Sequence, residues 1–227
     1  MMTRLTIILG LFAGWMGTAL AQETATIDSS YRNWYYDSRE KLYQQLEGTR
    51  YDVVFLGNSI TERGDWQELI GTRYAVANRG IGGDNTFGVL ARLDGVIRIQ
   101  PKKLFLMIGI NDIGRGLPVD VILQNYRQIV SRIQSESPNT TLYLQAVLPL
   151  NESVLPYDYL KNKSEQIKAL NSGIRGIAHE QGLTFVDLRG VLADEEVLKA
   201  DFTSDGIHLK PQAYQHWVAY LKAKRFL

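Results

Sequence analysis

The sequence predicts an α/β fold, a three-layer sandwich in which a mostly parallel five-stranded sheet is flanked by helices. Three observations predict it. Strand-like and helix-like segments alternate along the chain, the pattern of a parallel sheet wound with crossover helices. The strand candidates are short, rich in β-branched and aromatic residues, and bounded by Gly, Asn, Pro or Asp. No internal repeat, low-complexity tract or Pro/Gly/Ser linker divides the chain, so residues 22–227 read as one domain with a sizeable core.

The first stretch reads as a leader. Arg4 supplies a positive n-region, Leu5–Ala13 is a short apolar run, and Ala19-Leu20-Ala21 fits a signal-peptidase site, so residues 1–21 are expected to be removed. A transmembrane anchor is the rival, but the run falls short of the ~20 apolar residues that span a bilayer. Tyr31, Trp34, Tyr35, Leu42 and Leu46 then recur at helical spacing and predict an amphipathic helix. Strands are expected at Val53–Leu56, Tyr74–Ala77, Leu104–Ile108, Leu142–Val147 and Thr184–Val186. Helical patterns fill the gaps at Asp65–Ile70, Phe87–Ile99, Val119–Gln134, Tyr159–His179 and Pro211–Lys224. Pro211 suits a first helical turn, and Pro138 stops the helix before it because it lacks the N–H and clashes with the preceding turn. The longest connections, Pro149–Asp158 and Gly190–Lys210, are where binding groups are expected.

Composition narrows the function classes. Without Arg4, the only charged residue of the leader, the 25 basic residues of the chain fall to the number of its acidic ones, 24. A balanced charge offers no electrostatic case for nucleic acid or anionic lipid as partner. The absence of cysteine excludes disulfides, thiolate chemistry and thiolate metal sites. No other segment is apolar enough to cross a membrane, so the expectation is an exported bacterial protein, periplasmic or secreted. Asn139, Asn151 and Asn162 begin glycosylation triplets, which are frequent by chance.

The chemistry gathers around Gly57-Asn-Ser-Ile60, where an apolar strand runs into a hydroxyl at the carboxyl end of a sheet. A serine hydroxyl needs a base. Of the three histidines, His179 and His216 fall within helical patterns and suit surface or packing roles, whereas His208 lies in a loop three residues after Asp205. In that spacing the carboxylate could accept from one ring nitrogen while the other faces Ser59; taken alone, Asp205-Gly206 reads better as an ordinary turn. Acyl transfer also needs oxyanion donors, each contributing about 10²–10³ in rate. Asn78-Arg-Gly-Ile-Gly-Gly-Asp-Asn-Thr86 and Gly109-Ile-Asn-Asp-Ile-Gly114 follow strands and could supply them. A phosphate loop is the rival for the first, but no Lys-Ser/Thr follows the glycines. Three scattered histidines without ligand spacing leave no metal site, and no cofactor is expected.

The four segments together, in order across the mature chain, resemble the SGNH (GDSL-type) hydrolase superfamily, and most of all its platelet-activating-factor acetylhydrolase-like branch. The resemblance implies a flavodoxin-like sheet, Ser59 as nucleophile, His208 as general base and then acid, and Asp205 as the group orienting His208. It implies an oxyanion hole of the Ser59 N–H, the Gly83 N–H and the Asn111 amide, Gly83 being the glycine before Asp84-Asn-Thr86. Asn58 departs from the family's usual aspartate beside the nucleophile. It keeps an acceptor and the small size but loses the charge.

The combined site, export and the lack of a long apolar lid segment make a short acyl ester, above all O-acetyl, the expected substrate. The resemblance implies carbohydrate as its alcohol part, so a small-molecule or glycan ester is expected. Arg63, Trp66, Arg115 and the Leu148–Tyr159 loop are candidates to contact it; helix packing for Trp66 and solvated surface roles for the arginines are the alternatives. A lysophospholipase or thioesterase of broader acyl range is one rival. A non-catalytic carbohydrate-binding protein is another, and it would lack a serine that reacts with a fluorophosphonate.

Overall fold

The computed structural model describes residues 27–227, so the expected leader over residues 1–21 lies outside the described residues. Five strands, β1 (Val53–Gly57), β2 (Val76–Gly80), β3 (Lys103–Met107), β4 (Thr141–Gln145) and β5 (Thr184–Val186), form one sheet in the order β2-β1-β3-β4-β5. Every neighbouring pair is parallel. The chain steps from β1 outward to β2, then returns past β1 to β3. That reversal opens a crevice at the carboxyl ends of the strands, where open α/β sheets place ligands.

Helices flank the sheet in two groups. On one side α7 (Val119–Glu136) packs against α4 (Thr86–Ala91), α5 (Leu93–Ile97) and α8 (Ser164–Glu180); on the other, α10 (Pro211–Ala223) packs against α3 (Trp66–Ile70) and α9 (Arg189–Leu192). Central β1 is buried along its whole length, as a parallel strand covered on both faces should be. Phe55, Phe105 and Tyr143 occupy matching register positions on β1, β3 and β4 and stack at centroid distances of 4.9 and 4.5 Å. This ladder ties three strands together through aromatic contact as well as backbone hydrogen bonds.

Several boundaries differ from expectation, β4 for example ending at Gln145 rather than Val147, and two of the differences have a clear polar cause. β2 runs two residues later than its apolar residues suggest, because Asn78 has a place inside the sheet edge. Its amide donates to the carbonyls of Thr61, Glu62 and Gly64, and its oxygen accepts from the Gly80 N–H. The helix expected over Phe87–Ile99 breaks at Arg92, whose side chain turns inward to Asp84. The helix expected from Tyr159 begins at Ser164 and is preceded by a separate 3-10 turn over Asp158–Leu160.

Helix α1 (Trp34–Gln45) forms where expected, but on a different face. Asn33 caps it by accepting from the Tyr35 and Tyr36 N–H groups. Tyr36 and Tyr43 are buried with Ile81, while Trp34 is 80% exposed and Leu42 and Leu46 are also exposed. Periodicity weights the aliphatic residues. The tyrosines win because their hydroxyls reach carbonyls, Tyr36 donating to Gly88 at 2.8 Å and Tyr43 to Gly80 at 2.7 Å. These bonds dock α1 beside the strand ends.

Candidate active site

β1 ends at Gly57 and hands the chain to α2 (Ser59–Glu62) through Asn58. Asn58 is buried and extended, and its side-chain oxygen accepts from the Ile60 N–H at 3.0 Å. That Asx cap needs only an acceptor, which asparagine provides as well as aspartate. Ser59 thereby becomes the first residue of the short helix.

His208 reaches Ser59 from the far end of the chain, with Nε2 3.0 Å from the serine Oγ. Its Nδ1 lies 2.6 Å from Asp205 Oδ2, and the backbone N–H groups of His208 and Ile207 donate to Oδ1 at 2.8 and 3.2 Å. With the carboxylate accepting from Nδ1–H, Nε2 is left bare to accept the serine proton. Burial alone would raise the Asp205 carboxyl; the His208 ring and the two backbone donors outweigh it and hold the group below its ordinary value. Gly206 turns the loop at φ +75°, where its Cα faces the Asn151 carbonyl too closely for any side chain. Asn151 in turn donates its N–H to the Gly206 carbonyl at 2.9 Å, so the Leu148–Tyr159 loop braces this turn.

Opposite lie the two donor loops. Gly83 sits at φ +77° with open space before it, and among the described residues neither its N–H nor that of Ser59 donates to a protein acceptor. Asn111, in α6 (Ile110–Gly114) after β3, donates one amide hydrogen to the Asp84 carbonyl at 2.7 Å and keeps the other. Serine, imidazole and carboxylate can activate a hydroxyl, and the three donors left without an acceptor can stabilise a tetrahedral oxyanion.

A buried network that the sequence reading missed clips the donor loops together. Asp112 accepts from the Thr86 N–H at 3.0 Å and from its hydroxyl at 2.5 Å, and Asn125 of α7 donates to the same hydroxyl at 2.8 Å. Burial pushes the Asp112 carboxyl up, against the Thr86 groups that draw it down. Asp112 follows Asn111 directly and Thr86 comes three residues after Gly83, but nothing in local spacing pairs them. The Thr86→Val variant, which leaves a buried carboxylate and amide short of a partner, is expected to lose about 1–3 kcal/mol of stability in urea unfolding. An unchanged midpoint would remove this clip from the account.

The expected contact residues fare differently. Trp66 is not at a binding surface. It is 2% exposed, stacks on Phe55 at 3.9 Å and donates its indole N–H to the Thr61 carbonyl, because the space behind β1 takes its largest ring. Arg63 closes α2 on the exposed surface. Arg115 closes α6 and reaches away, to the Ser30 carbonyl and hydroxyl. His179 and His216 are both exposed.

Residues 55–216 match the family described as GDSL-like Lipase/Acylhydrolase. Platelet-activating factor acetylhydrolase IB subunit alpha1 of Homo sapiens is 29% identical over 125 residues, 52% of each chain, so the match spans about half the length of that curated relative. The arylesterase of Vibrio mimicus is 28% identical over 185 residues, 78% of this chain and 85% of the relative. A solved structure from Streptococcus pneumonia, named for platelet activating factor, superposes with a TM-score of 0.78 at 31% identity, over 84% of this chain and 92% of that one.

Proposed function

The chain belongs to the GDSL-like lipase/acylhydrolase family and is an SGNH-type ester hydrolase, and from that premise we propose that it is an exported esterase removing short acyl groups, above all O-acetyl, from carbohydrate. The observation that carries the chemistry is the Asp205–His208–Ser59 relay, at 2.6 and 3.0 Å. Ser59 Oγ attacks the ester carbonyl as its proton passes to His208 Nε2. The carbonyl oxygen becomes an oxyanion held by the Ser59 and Gly83 N–H groups and the free amide hydrogen of Asn111. The imidazolium then returns the proton to the leaving alkoxide, and the alcohol departs from an acyl-serine. Water, deprotonated by the same Nε2, releases the acid and restores the serine hydroxyl.

The leader at residues 1–21 supports export, with residues 22–227 as one catalytic domain. Among the described residues no helix is long and apolar enough to cross a membrane. A series of p-nitrophenyl esters tests the acyl preference. The expected result is a kcat/KM maximum at acetate, with acetate released from acetylated glycans. A maximum at medium or long chains assigns the protein instead to the lysophospholipase or thioesterase class.

A further inference from the structure

We propose that Glu62 is a hydroxyl-binding residue of the site, accepting a hydrogen bond from the sugar part of the ester beside Ser59. The inference rests on the esterase reading above. Glu62 follows Ser59 by three residues on α2, and its side chain is only 17% exposed. One oxygen is fully engaged: Oε1 accepts from the Tyr35 hydroxyl at 2.6 Å and faces Arg39 Nε at 3.3 Å. Both partners come from α1, which the family match, beginning at residue 55, does not include.

The other oxygen, Oε2, receives no protein donor among the described residues. It borders a gap that Gly82 leaves by having no side chain. A β-carbon placed there would lie 3.0 Å from Oε2, 3.5 Å from Tyr35 Cε1 and 4.0 Å from Ser59 Cβ. Carboxylate, aromatic edge and nucleophile therefore share one small space. Oε2 is an acceptor open to this gap, with no protein donor, and a bound hydroxyl would take the place of solvent on it. The acetyl group carries no donor, so the donor must come from the alcohol half of the ester. A pyranose offers a hydroxyl next to the acylated one and an apolar ring face for Tyr35. Glycerol offers the hydroxyl without the ring. The hydrogen bond to Glu62 also holds the Tyr35 phenol above its usual range, consistent with a phenol kept as donor toward this carboxylate.

The test compares Glu62→Gln, which keeps the shape and removes the charge, with the wild-type protein. Substrates are mono-O-acetylated methyl glycosides, glycerol monoacetate and p-nitrophenyl acetate, whose leaving group has no spare hydroxyl. For the glycoside, kcat/KM is expected to fall about 10- to 100-fold, chiefly through KM. Turnover of p-nitrophenyl acetate stays within about twofold, since no hydrogen bond to a spare hydroxyl is lost. The deacetylated methyl glycoside should inhibit wild-type p-nitrophenyl acetate hydrolysis competitively, and that inhibition should vanish in Glu62→Gln. Equal losses on all substrates, or no loss on any, overturn the proposal by making Glu62 a support for α2 or a bystander. Dependence on Glu62 confined to glycerol monoacetate overturns the sugar assignment. Wild-type hydrolysis of p-nitrophenyl acetate is the separate readout of the esterase reading, and its failure would be seen before any variant is compared.

Discussion

Replacing Ser59 by alanine is expected to lower kcat/KM for p-nitrophenyl acetate by about 10⁴- to 10⁶-fold, leaving the residual rate that oriented donors and binding supply without a nucleophile. The size of the effect follows from the geometry. Among the described residues the serine Oγ has one hydrogen-bond partner, His208 Nε2, and the chain has no cysteine to take over as nucleophile. Deleting Oγ removes no core contact, so the thermal midpoint should stay within a degree or two of wild type. Turnover that survives the substitution in a folded protein would sink the assignment of Ser59. A parallel loss of the thermal midpoint would show instead that the hydroxyl holds the structure.

Arg92→Met is the variant with the largest expected effect on stability. The Arg92 guanidinium donates to Asp84 Oδ2 at 2.8–2.9 Å, to the Arg79 carbonyl at 2.9 Å and to the Gly57 carbonyl at 3.0 Å. Both side chains of the pair are buried, at 1% and 0% exposure. Methionine fills the stem but leaves the Asp84 charge uncompensated, at an expected loss of about 3–5 kcal/mol. The pH dependence has a definite sign. Burial already pushes the Asp84 carboxyl up to about 6, with Arg92 restraining it. A folded value above the ordinary one means that ionisation opposes folding, so the stability contribution is present at low pH and is lost as pH rises through the folded value. Without Arg92 the carboxyl rises further. The gap between variant and wild type in denaturant unfolding should therefore be wider at pH 8 than at pH 5, where Asp84 can take up a proton. A gap that narrows toward pH 8 would show that the pair is not what Arg92 contributes.

The legible parts of this chain share a property: their evidence lies in short local patterns. The strand-to-turn passage at Gly57-Asn-Ser59, the Asp205-x-x-His208 spacing and the loops around Gly83 and Asn111 are each readable within ten residues. The parallel sheet follows from the alternation of strands and helices, whereas its order is implied only by the family resemblance. What escaped is carried by polar atoms reaching far along the chain. Arg92 interrupts a good helical pattern because it bonds Asp84 and the carbonyl of Gly57, 35 residues away. Asn78 looks like a strand terminator, yet it caps carbonyls near the end of α2. Trp66 reads in sequence as either a substrate contact or a packing residue because exposure is invisible there, and the partner that buries it, Phe55, lies on another element. Tyr36 and Tyr43 displaced the expected face of α1 for the same reason.

The separation between Ser59 and His208, 149 positions along the chain, has a consequence in time. A chain is synthesised from its N-terminus, so the nucleophile emerges long before its base. Until the segment around Asp205–His208 is made and docks, with Tyr214 of α10 donating to the Ile60 carbonyl at 2.6 Å, the serine is an ordinary alcohol. The serine gains its base only when the Asp205–His208 segment and α10 dock against α2.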